Sequence, residues 1–397
     1  MLQHKVLKMP YSKELSIIIA CHSKTPFFRE TLDSFLNCQE IFKDAELLIC
    51  DDASPSGGDG DTAREYAAKY PDFIRCIKND TNLGVSKSYQ RLVSCALGRY
   101  IMPFDSDDIF VPFDVKSAIK ELDEHPEWCA NYGKKLLFSA QEGFTGISHG
   151  GTYSTFALLL DPRMTHIGMI IRASEFSGKR GYLLSDGTSC PVADDVCLWS
   201  CLCAEKEMHF RNEIRGFYRI HPGQETKSKG ELFASAYERI RDNFLSEHAE
   251  IAAKITPGNG FSLSNQDKLA AVAICGIKFI RSGNISEQLY YLDVASQILP
   301  DDYGVDEYRI KLLTGTGNND AALKNSLAML AAHSDDLYVK GVALNFACEL
   351  TEKDNFITNK ISTVRRDALQ KFFFMTESQQ QLLQKTVDKA KTYLMHQ

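Results

Sequence analysis

Three carboxylates lie close together at the end of an apolar run in the first third of the chain. Asp105, Asp107 and Asp108 fall within four residues, where their negative charges repel one another unless a cation offsets them. Carboxylate oxygens favour Mg²⁺ or Mn²⁺, and Mg²⁺ is usually held by one or two carboxylates together with substrate phosphates. An isolated cluster of this kind is more often a solvated turn or, for Asp108, a helix cap. Its position directly after an apolar run favours a metal and diphosphate site instead.

A second acidic pair, Asp51-Asp52, ends another apolar run and is followed by Ala-Ser-Pro-Ser-Gly-Gly, which is typical of a turn. A carboxylate at the end of a strand can accept hydrogen bonds from a ribose hydroxyl or a base N–H. The alternative is an Asx-turn that closes the loop. Both interpretations stay open, with one aspartate for each task.

The segments that would position these carboxylates alternate between strand and helix. Short apolar runs rich in β-branched residues are typical of strands buried on both faces, and apolar residues at helical spacing follow each run. This alternation predicts an α/β fold with a Rossmann-like, mostly parallel sheet, in which ligands bind at the carboxyl ends of the strands. The cluster at Asp105, the pair at Asp51 and the segment Cys21-His22 all fall at such ends. The predicted strands cover residues 15–21, 47–50, 73–77 and 99–104.

Two regions of different character follow. Residues 127–221 predict short strands and one strong helix from Asp194 to Glu205. From about residue 231 the chain predicts successive helices of roughly 12 to 18 residues. Small residues on their faces suggest helix pairs, possible relatives of tetratricopeptide repeats although no clean period emerges. The predicted organisation is a tail (1–13), an α/β domain (14–226) and an all-α domain (231–397).

Composition narrows the class of protein and its partners. The chain has 397 residues, of which 44% are hydrophobic and 24% charged, as in a soluble protein of two domains. Its net charge of −7 argues against nucleic acid as the main partner. The twelve cysteines form no paired C-x2-C knuckles and are expected to be buried free thiols in a reducing compartment. With no signal peptide and no spanning segment in view, we expect a cytoplasmic protein, or one peripheral to the inner face of the membrane.

Six segments match, in order and spacing, those of a known enzyme family. The chain resembles the N-terminal half of the family 2 glycosyltransferases, which adopt the GT-A fold and generally invert the anomeric centre. The resemblance covers roughly residues 14 to 226. It is carried by LSIIIACHSK, ELLICDDAS, NLGVSKSYQ, GRYIMPFDSDDIF, DDVCLWSCL and GFYRIHPGQET.

The resemblance implies a role for each of these positions. Asp107 would be the principal ligand of a Mn²⁺ or Mg²⁺ cofactor, and His221 would contact the diphosphate or complete the metal shell. Asp195, the second residue of its acidic pair, would be the general base. The residues implied at the nucleotide-sugar donor are Ala20, His22, Asp52, Asn82, Lys87, Asp105 and Ser106.

Elementary chemistry agrees with two of these roles and leaves simpler alternatives open. Asp195 falls at the predicted N-terminus of a helix, where the helix dipole favours a carboxylate, and an acceptor hydroxyl needs a base within hydrogen-bond reach. The alternative for Asp194-Asp195 is a simple helix cap. His221 could instead be a structural histidine that packs beside Tyr218.

The chain also departs from the family pattern. Ala20-Cys21-His22-Ser23 replaces a Pro-Thr-Tyr-Asn-like segment, and Ser88-Tyr89-Gln90 replaces Ala-Arg-Asn. Lys87 or Arg91 would then have to supply the phosphate contact, which leaves the identity of the donor open. On the acceptor side the resemblance points to Arg163, His166 and Asp194.

The sequence therefore predicts an inverting glycosyltransferase that uses a nucleotide-sugar, with UDP-sugar as the default because most relatives use it. The acceptor would be a hydroxyl on a glycan, a lipid-linked oligosaccharide or a protein. One alternative is an inactive scaffold whose helical domain binds a partner, and that domain could also mediate a homodimer. Another is a nucleotidyltransferase, although ACHSKTPFF lacks the glycine-rich loop that holds a triphosphate.

Overall fold

The computed structural model describes residues 11–23, 26–148, 151–224, 229–257, 262–350 and 375–394. Within these ranges the strands are β1 (Lys13–Cys21), β2 (Ala45–Asp51), β3 (Ile74–Lys78), β4 (Gly98–Pro103), β5 (Ile109–Phe110), β6 (Trp128–Ser139), β7 (Gly143–Ser148), β8 (Ile170–Arg172) and β9 (Glu207–Ile220). The helices of the N-terminal region are α1 (Phe28–Leu36), α2 (Asp59–Lys69), α3 (Val85–Cys95), α4 (Val115–Glu124) and α5 (Asp194–Leu202). The C-terminal helices are α6 (Phe233–Glu247), α7 (Ala249–Lys254), α8 (Lys268–Arg281), α9 (Ile285–Ile298), α10 (Tyr303–Gly315), α11 (Asn319–Ala332), α12 (Leu337–Leu350) and α13 (Glu377–Leu394).

The first four strands form the parallel sheet that the sequence predicts. Their order is β3-β2-β1-β4, and in this register Ile18 lies beside Leu48 on one side and Pro103 on the other. Successive side chains of β1 enter opposite faces, because Ile17 and Ile19 pack with α1 and α4 whereas Ile18 packs with α3. The predicted α/β class is confirmed.

The second half of the sheet is mixed, and the prediction of short strands there is wrong. β8 joins β4 in antiparallel orientation, and the sheet continues through β6, β9 and β5, with β7 on β6. β6 has 12 residues and β9 has 14, and the two run parallel. Charged residues interrupt their apolar pattern but are paired inside the fold. The buried Arg215 of β9, for example, donates to the backbone oxygens of Asn131 and Gly168.

The helical region shares its hydrophobic core with the sheet. One cluster joins Ile18 and Leu48 of the sheet to Trp199 of α5, Ile240 of α6 and Ile274 of α8. Successive helices α8 to α12 pack against one another, as the predicted helix pairs require. At the far end α13 returns to the sheet, because Leu383 joins the cluster around β5, β6 and β9. The two regions therefore pack as one unit.

Two further predictions concern composition. All twelve cysteines are unpaired thiols, and most of them are buried, which agrees with the expectation from their spacing. None of the described helices has the length and apolar character that crossing a membrane would require.

Buried charges tie the segment before β8 to the helical region. Asp302 accepts hydrogen bonds from the Ser154 hydroxyl (2.5 Å) and the backbone N–H of Phe156 (3.0 Å). Arg163 donates to Glu307 at 2.7 Å and also to Asp161 and to the hydroxyl of Tyr338. Arg163 therefore faces α10 and α12, and its predicted place on the acceptor side stays a prediction.

Replacing Glu307 with alanine should destabilise the whole protein by about 3 kcal/mol, because the guanidinium of Arg163 loses its buried carboxylate and keeps only the half-exposed carboxylate of Asp161 to balance its charge. The measurement is the free energy of unfolding in urea, followed by fluorescence and by circular dichroism. Glu65→Ala is the matched control, since Glu65 pairs with Arg29 on the surface and such pairs contribute under about 1 kcal/mol. If both variants lower the free energy of unfolding equally, the buried pair of Arg163 and Glu307 contributes no more to stability than a surface pair does.

Candidate active site

The acidic loop after β4 is fixed by β9. Asp108 is buried and accepts a hydrogen bond from the backbone N–H of Arg219 at 2.9 Å, while the Arg219 guanidinium donates to the backbone oxygen of Asp107 at 2.9 Å. Burial, followed by the charges of Asp107 and Asp105, raises the pKa of Asp108 well above its ordinary value. Asp108 is thus neither a solvated turn residue nor a helix cap, but a buried anchor of the loop.

Asp107 and His221 meet although they are far apart in the chain. The Nε2 atom of His221 lies 2.9 Å from Oδ2 of Asp107, and the imidazole packs against the ring of Phe27 at 4.9 Å between centroids. Both side chains are only partly buried. A carboxylate oxygen and an imidazole nitrogen at this distance suit a divalent cation that takes its other ligands from phosphate and water. No group of three or more potential metal ligands occurs among the described residues, so the protein itself would provide two.

Asp105 points toward a different partner. Its Oδ1 lies 3.7 Å from Nδ1 of the buried His166 and accepts a hydrogen bond from the Tyr89 hydroxyl at 3.2 Å. Burial alone would raise the pKa of Asp105, but the interaction with His166 and the charge of Lys135 outweigh it and lower the pKa. Asp105 is therefore held as a carboxylate beside the imidazole of His166, whereas Asp107 faces His221.

His166 links this loop to the acidic pair at the start of α5. Its Nε2 lies 3.0 Å from the hydroxyl of Tyr182. Burial would lower the pKa of His166, but Asp105, Asp194 and Asp195 together raise it above its ordinary value. His166 thus lies beside Asp105 and within reach of the charges of Asp194 and Asp195, and its predicted place on the acceptor side stays a prediction.

Lys135 and Tyr182 belong to this site, although the sequence did not single them out. Lys135 on β6 lies over the ring of Tyr218 at 4.4 Å and lowers the pKa of both Asp105 and Asp108 by its charge. Tyr182 stacks on Tyr89 at 5.0 Å between centroids. Only a tertiary pairing places these residues here, and no local pattern in the sequence signals it.

The acidic pair Asp194-Asp195 begins α5 after a strained residue. Ala193 has a φ of 60°, a left-handed conformation that costs a non-glycine residue about 1 kcal/mol or more and is common at functional sites. The Oδ1 atom of Asp195 accepts from the backbone N–H of Val196 at 2.8 Å, so Asp195 binds an N–H of the first turn of α5 and lies in the dipole field of the helix N-terminus. Burial first, then the charges of Asp195 and Asp105, raise the pKa of Asp194 to about 7.

Replacing Asp194 with asparagine should stabilise the protein at neutral pH. The folded state keeps a proton on Asp194 up to about pH 7, whereas the unfolded chain loses it near pH 4. Between these values wild-type stability therefore falls as the pH rises, and above pH 7 the loss is complete. We compare the free energy of unfolding of Asp194→Asn with that of wild type at each pH. The difference should favour the variant by about 3 kcal/mol more at pH 8 than at pH 4.

The measurement for Asp194→Asn is urea unfolding across this pH range, with Asp335→Asn as an exposed control. The control should show the same difference from wild type at every pH. A pH-independent difference for Asp194→Asn as well would mean that Asp194 carries its charge in the folded protein at neutral pH.

The two residues of the second acidic pair, Asp51 and Asp52, bind different partners within the protein. Asp51 accepts from the backbone N–H of Ser54 at 2.8 Å and from Arg64 at 2.7 Å, which is the predicted turn. Asp52 is buried and accepts from the Nδ2 of Asn79 at 2.7 Å and from the backbone N–H groups of Leu83 and Gly84, each at 2.8 Å. Its carboxylate therefore orders the loop before α3, and its contact with a ribose or base stays a prediction.

That loop brings predicted donor residues to one edge of the sheet. His22 contacts the backbone oxygen of Asp52 through Nδ1 (2.7 Å) and the side chain of Asn82 through Nε2 (2.9 Å). Lys87 is exposed in the first turn of α3, whereas Arg91 donates to the backbone oxygen of Lys78 and to Asn79. Both side chains are exposed, and the phosphate contact predicted for Lys87 or Arg91 stays a prediction.

Two of the predicted donor residues contribute backbone. Ala20 is half-buried near the end of β1. The backbone oxygen of Ser106 accepts a hydrogen bond from the Thr31 hydroxyl at 3.0 Å, which ties the acidic loop to α1. The place of both residues at the donor stays a prediction.

Comparison with known proteins finds a similarity to glycosyltransferases. Residues 16–142 match the family model described as Glycosyl transferase family 2. An uncharacterized protein of Mycobacterium tuberculosis is 35% identical over 117 residues, which cover 28% of this chain and 32% of that protein. The Escherichia coli protein WfaP, a UDP-Glc:alpha-D-GlcNAc-diphosphoundecaprenol beta-1,3-glucosyltransferase, is 25% identical over 222 residues, or 54% of this chain and 80% of its own length.

A solved structure of Staphylococcus aureus TarS, residues 1–349 in complex with UDP-GlcNAc, aligns over 85% of this chain and 90% of its own with a TM-score of 0.46 and 15% identity. This chain is therefore similar to glycosyl transferase family 2 over residues 16–142, which carry most of β1 and the strands β2 to β6 of the mixed sheet. The chain spans about a third of the length of the mycobacterial relative.

Proposed function

We propose that this chain is an inverting glycosyltransferase that moves a sugar from a nucleotide-sugar to a hydroxyl acceptor. The observation that carries the proposal is the convergence of three elements on one centre. Asp105 and Asp107 come from the loop after β4, His221 follows β9, and Asp195 begins α5, while His166 lies between the first and the last of these groups.

The proposed donor is a UDP-sugar. The printed name of WfaP specifies UDP-Glc, and TarS was solved with UDP-GlcNAc. On this chain the loop that carries Asn82, together with His22 and the exposed ammonium of Lys87, would face the nucleotide. GDP- and CMP-sugars are the alternatives that an experiment has to separate.

Asp107 and His221 would hold a Mn²⁺ or Mg²⁺ ion. When bound, such an ion neutralises the charge that develops on the departing diphosphate. The residues around it have separate tasks. Arg219 and Asp108 hold the loop in place, and Lys135 adds a fixed positive charge on the same side.

In the proposed reaction Asp195 accepts the proton of the acceptor hydroxyl as its oxygen bonds to the anomeric carbon. The bond between that carbon and the diphosphate oxygen breaks on the opposite face, so a single displacement inverts the centre and one base is enough. Asp194, with a pKa of about 7, would lie toward the acceptor and keep a negative Asp195 from facing a second full charge.

The proposed acceptor is a hydroxyl of a glycan, a lipid-linked oligosaccharide or a protein. WfaP acts on a sugar attached to a diphosphoundecaprenol carrier, according to its name. A lipid-linked acceptor would bring this protein to the membrane surface without a spanning segment.

Calorimetric titration with UDP, GDP and CMP, each with and without Mn²⁺, tests the proposal. We expect UDP to bind most tightly and its affinity to rise at least about tenfold with Mn²⁺, because two protein ligands alone bind the ion weakly without the diphosphate. If none of the three nucleotides binds, the proposed function is wrong. Tighter binding of GDP would change the donor but not the reaction, whereas tighter binding of CMP, which has no diphosphate, would contradict the proposed leaving group.

A further inference from the structure

Helix α6 is the first helix of the C-terminal region and is packed firmly against α5. Ile240 and Phe244 of α6 are fully buried in the same hydrophobic cluster as Val196 and Leu198 of α5. A helix that buries one face in a shared core has a fixed position relative to its neighbour. The side chains of α6 are therefore placed accurately with respect to Asp195, which begins α5.

Polar contacts hold α6 at both ends of this interface. Arg241 is buried and donates through Nε to the backbone oxygen of Leu159 at 2.8 Å. One turn and a half further along, Glu247 accepts from Arg180 at 2.8 Å. Both partners belong to the N-terminal region, so α6 cannot shift along α5 without breaking them.

Tyr237 lies one turn before Ile240 on this fixed helix and packs against the hydrophobic cluster that includes Ala193 and Val196, the residues on either side of the pair Asp194-Asp195. Its ring is half-buried, and the guanidinium carbon of Arg241 lies 5.6 Å from the ring centre. Burial first, then the charges of Asp195 and Asp161, raise the pKa of the phenol. Its hydroxyl has no hydrogen-bond partner within the described parts of the chain, whereas the hydroxyl of Tyr182 does.

We propose that Tyr237 binds the acceptor, with its ring against a pyranose and its hydroxyl bonded to a sugar oxygen beside Asp195. This inference rests on the proposed function, because Asp195 defines the acceptor side. A tyrosine combines an apolar ring with a polar tip, and sites for small ligands are lined by aromatic side chains with a few polar groups. The helical region thus contributes directly to the substrate site.

The test uses methyl pyranosides of glucose, galactose, mannose and N-acetylglucosamine as probes, with the full-length protein and UDP present. Binding is measured by saturation-transfer NMR. Wild type should bind at least one of the four, and Tyr237→Ala should lower that affinity at least about tenfold. Tyr237→Phe keeps the ring and loses one hydrogen bond, so about a threefold loss is expected. Ser235→Ala, an exposed change on the same helix, should match wild type.

The outcomes separate this inference from the proposed function. If Tyr237→Ala binds the glycosides as wild type does, or if wild type binds none of them, Tyr237 is not an acceptor residue. If Tyr237→Ala does not fold, the Tyr237→Phe result decides. UDP affinity, titrated in the same samples, should be equal in all variants. Failure of wild type to bind UDP would overturn the proposed function, while the glycoside result would still report on Tyr237.

Discussion

Asp195→Asn is expected to lower sugar transfer by about a thousandfold and to leave the affinity for UDP unchanged. Asparagine keeps the size of the side chain and an oxygen that can accept the hydrogen bond from Val196 N–H, so the start of α5 should be preserved. Only the capacity to take a proton is lost. The measurement is the rate of UDP release from the donor, with water or an added glycoside as acceptor, beside a calorimetric titration with UDP.

The exposed Asp335→Asn variant serves as the matched control and should behave as wild type in both measurements. If Asp195→Asn transfers at the wild-type rate, Asp195 is not the base, and Asp194, with its pKa of about 7, becomes the candidate. Loss of UDP binding in Asp195→Asn would instead place Asp195 on the donor side.

Mn²⁺ is expected to raise the affinity for UDP. Asp107→Asn and His221→Asn should each reduce this increase by a factor of at least about ten. The two side chains are 2.9 Å apart and act on one ion, so the double variant should lose little more than either single one. Without Mn²⁺ all these proteins should bind UDP equally. Calorimetric titration with and without the metal measures each value.

A full Mn²⁺ gain in Asp107→Asn would contradict the assignment of the metal site. Additive losses in the double variant would mean that His221 contacts the diphosphate independently of the ion. That second result would settle which of the two predicted roles His221 has.

The α/β half of the fold was largely predictable, because its signals are local. Apolar, β-branched runs such as the one that ends at Cys21 predict buried strands, and the structure extends them by only one or two residues. The turn chemistry after Asp51 and before Val85 likewise marks the start of loops that the structure contains. Such patterns depend on neighbouring residues alone.

The second half of the sheet was not predictable in the same way. In β9 the side chains of Arg215 and Arg219 interrupt the apolar pattern, and their burial depends on partners such as Asn131 and Glu30 that lie far away in the chain. The same is true of Arg163, whose partner Glu307 is on α10. From the sequence alone, a charged residue is predicted to be exposed, because a distant partner that would allow its burial cannot be identified.

The sequence could name candidate residues for the site, but it could not predict their burial or their contacts. The ordered resemblance, and not spacing, put Asp107 and His221 in one site. The buried carboxyl of Asp194 and the link that His166 makes to Asp105 depend on packing between segments that are far apart in sequence. Lys135 lies in the interior of a strand, where nothing local distinguishes it from a solvated lysine.

The central claim is that this chain breaks the bond between a sugar and a nucleoside diphosphate with inversion. Proton NMR of the protein with Mn²⁺ and a panel of UDP-, GDP- and CMP-sugars tests it most directly, because the anomeric signals report both consumption and configuration. We predict that one UDP-sugar is consumed, that the new anomeric bond has the opposite configuration, and that Asp195→Asn shows no consumption. If no donor is consumed, or if the product keeps the donor's configuration, the account is contradicted.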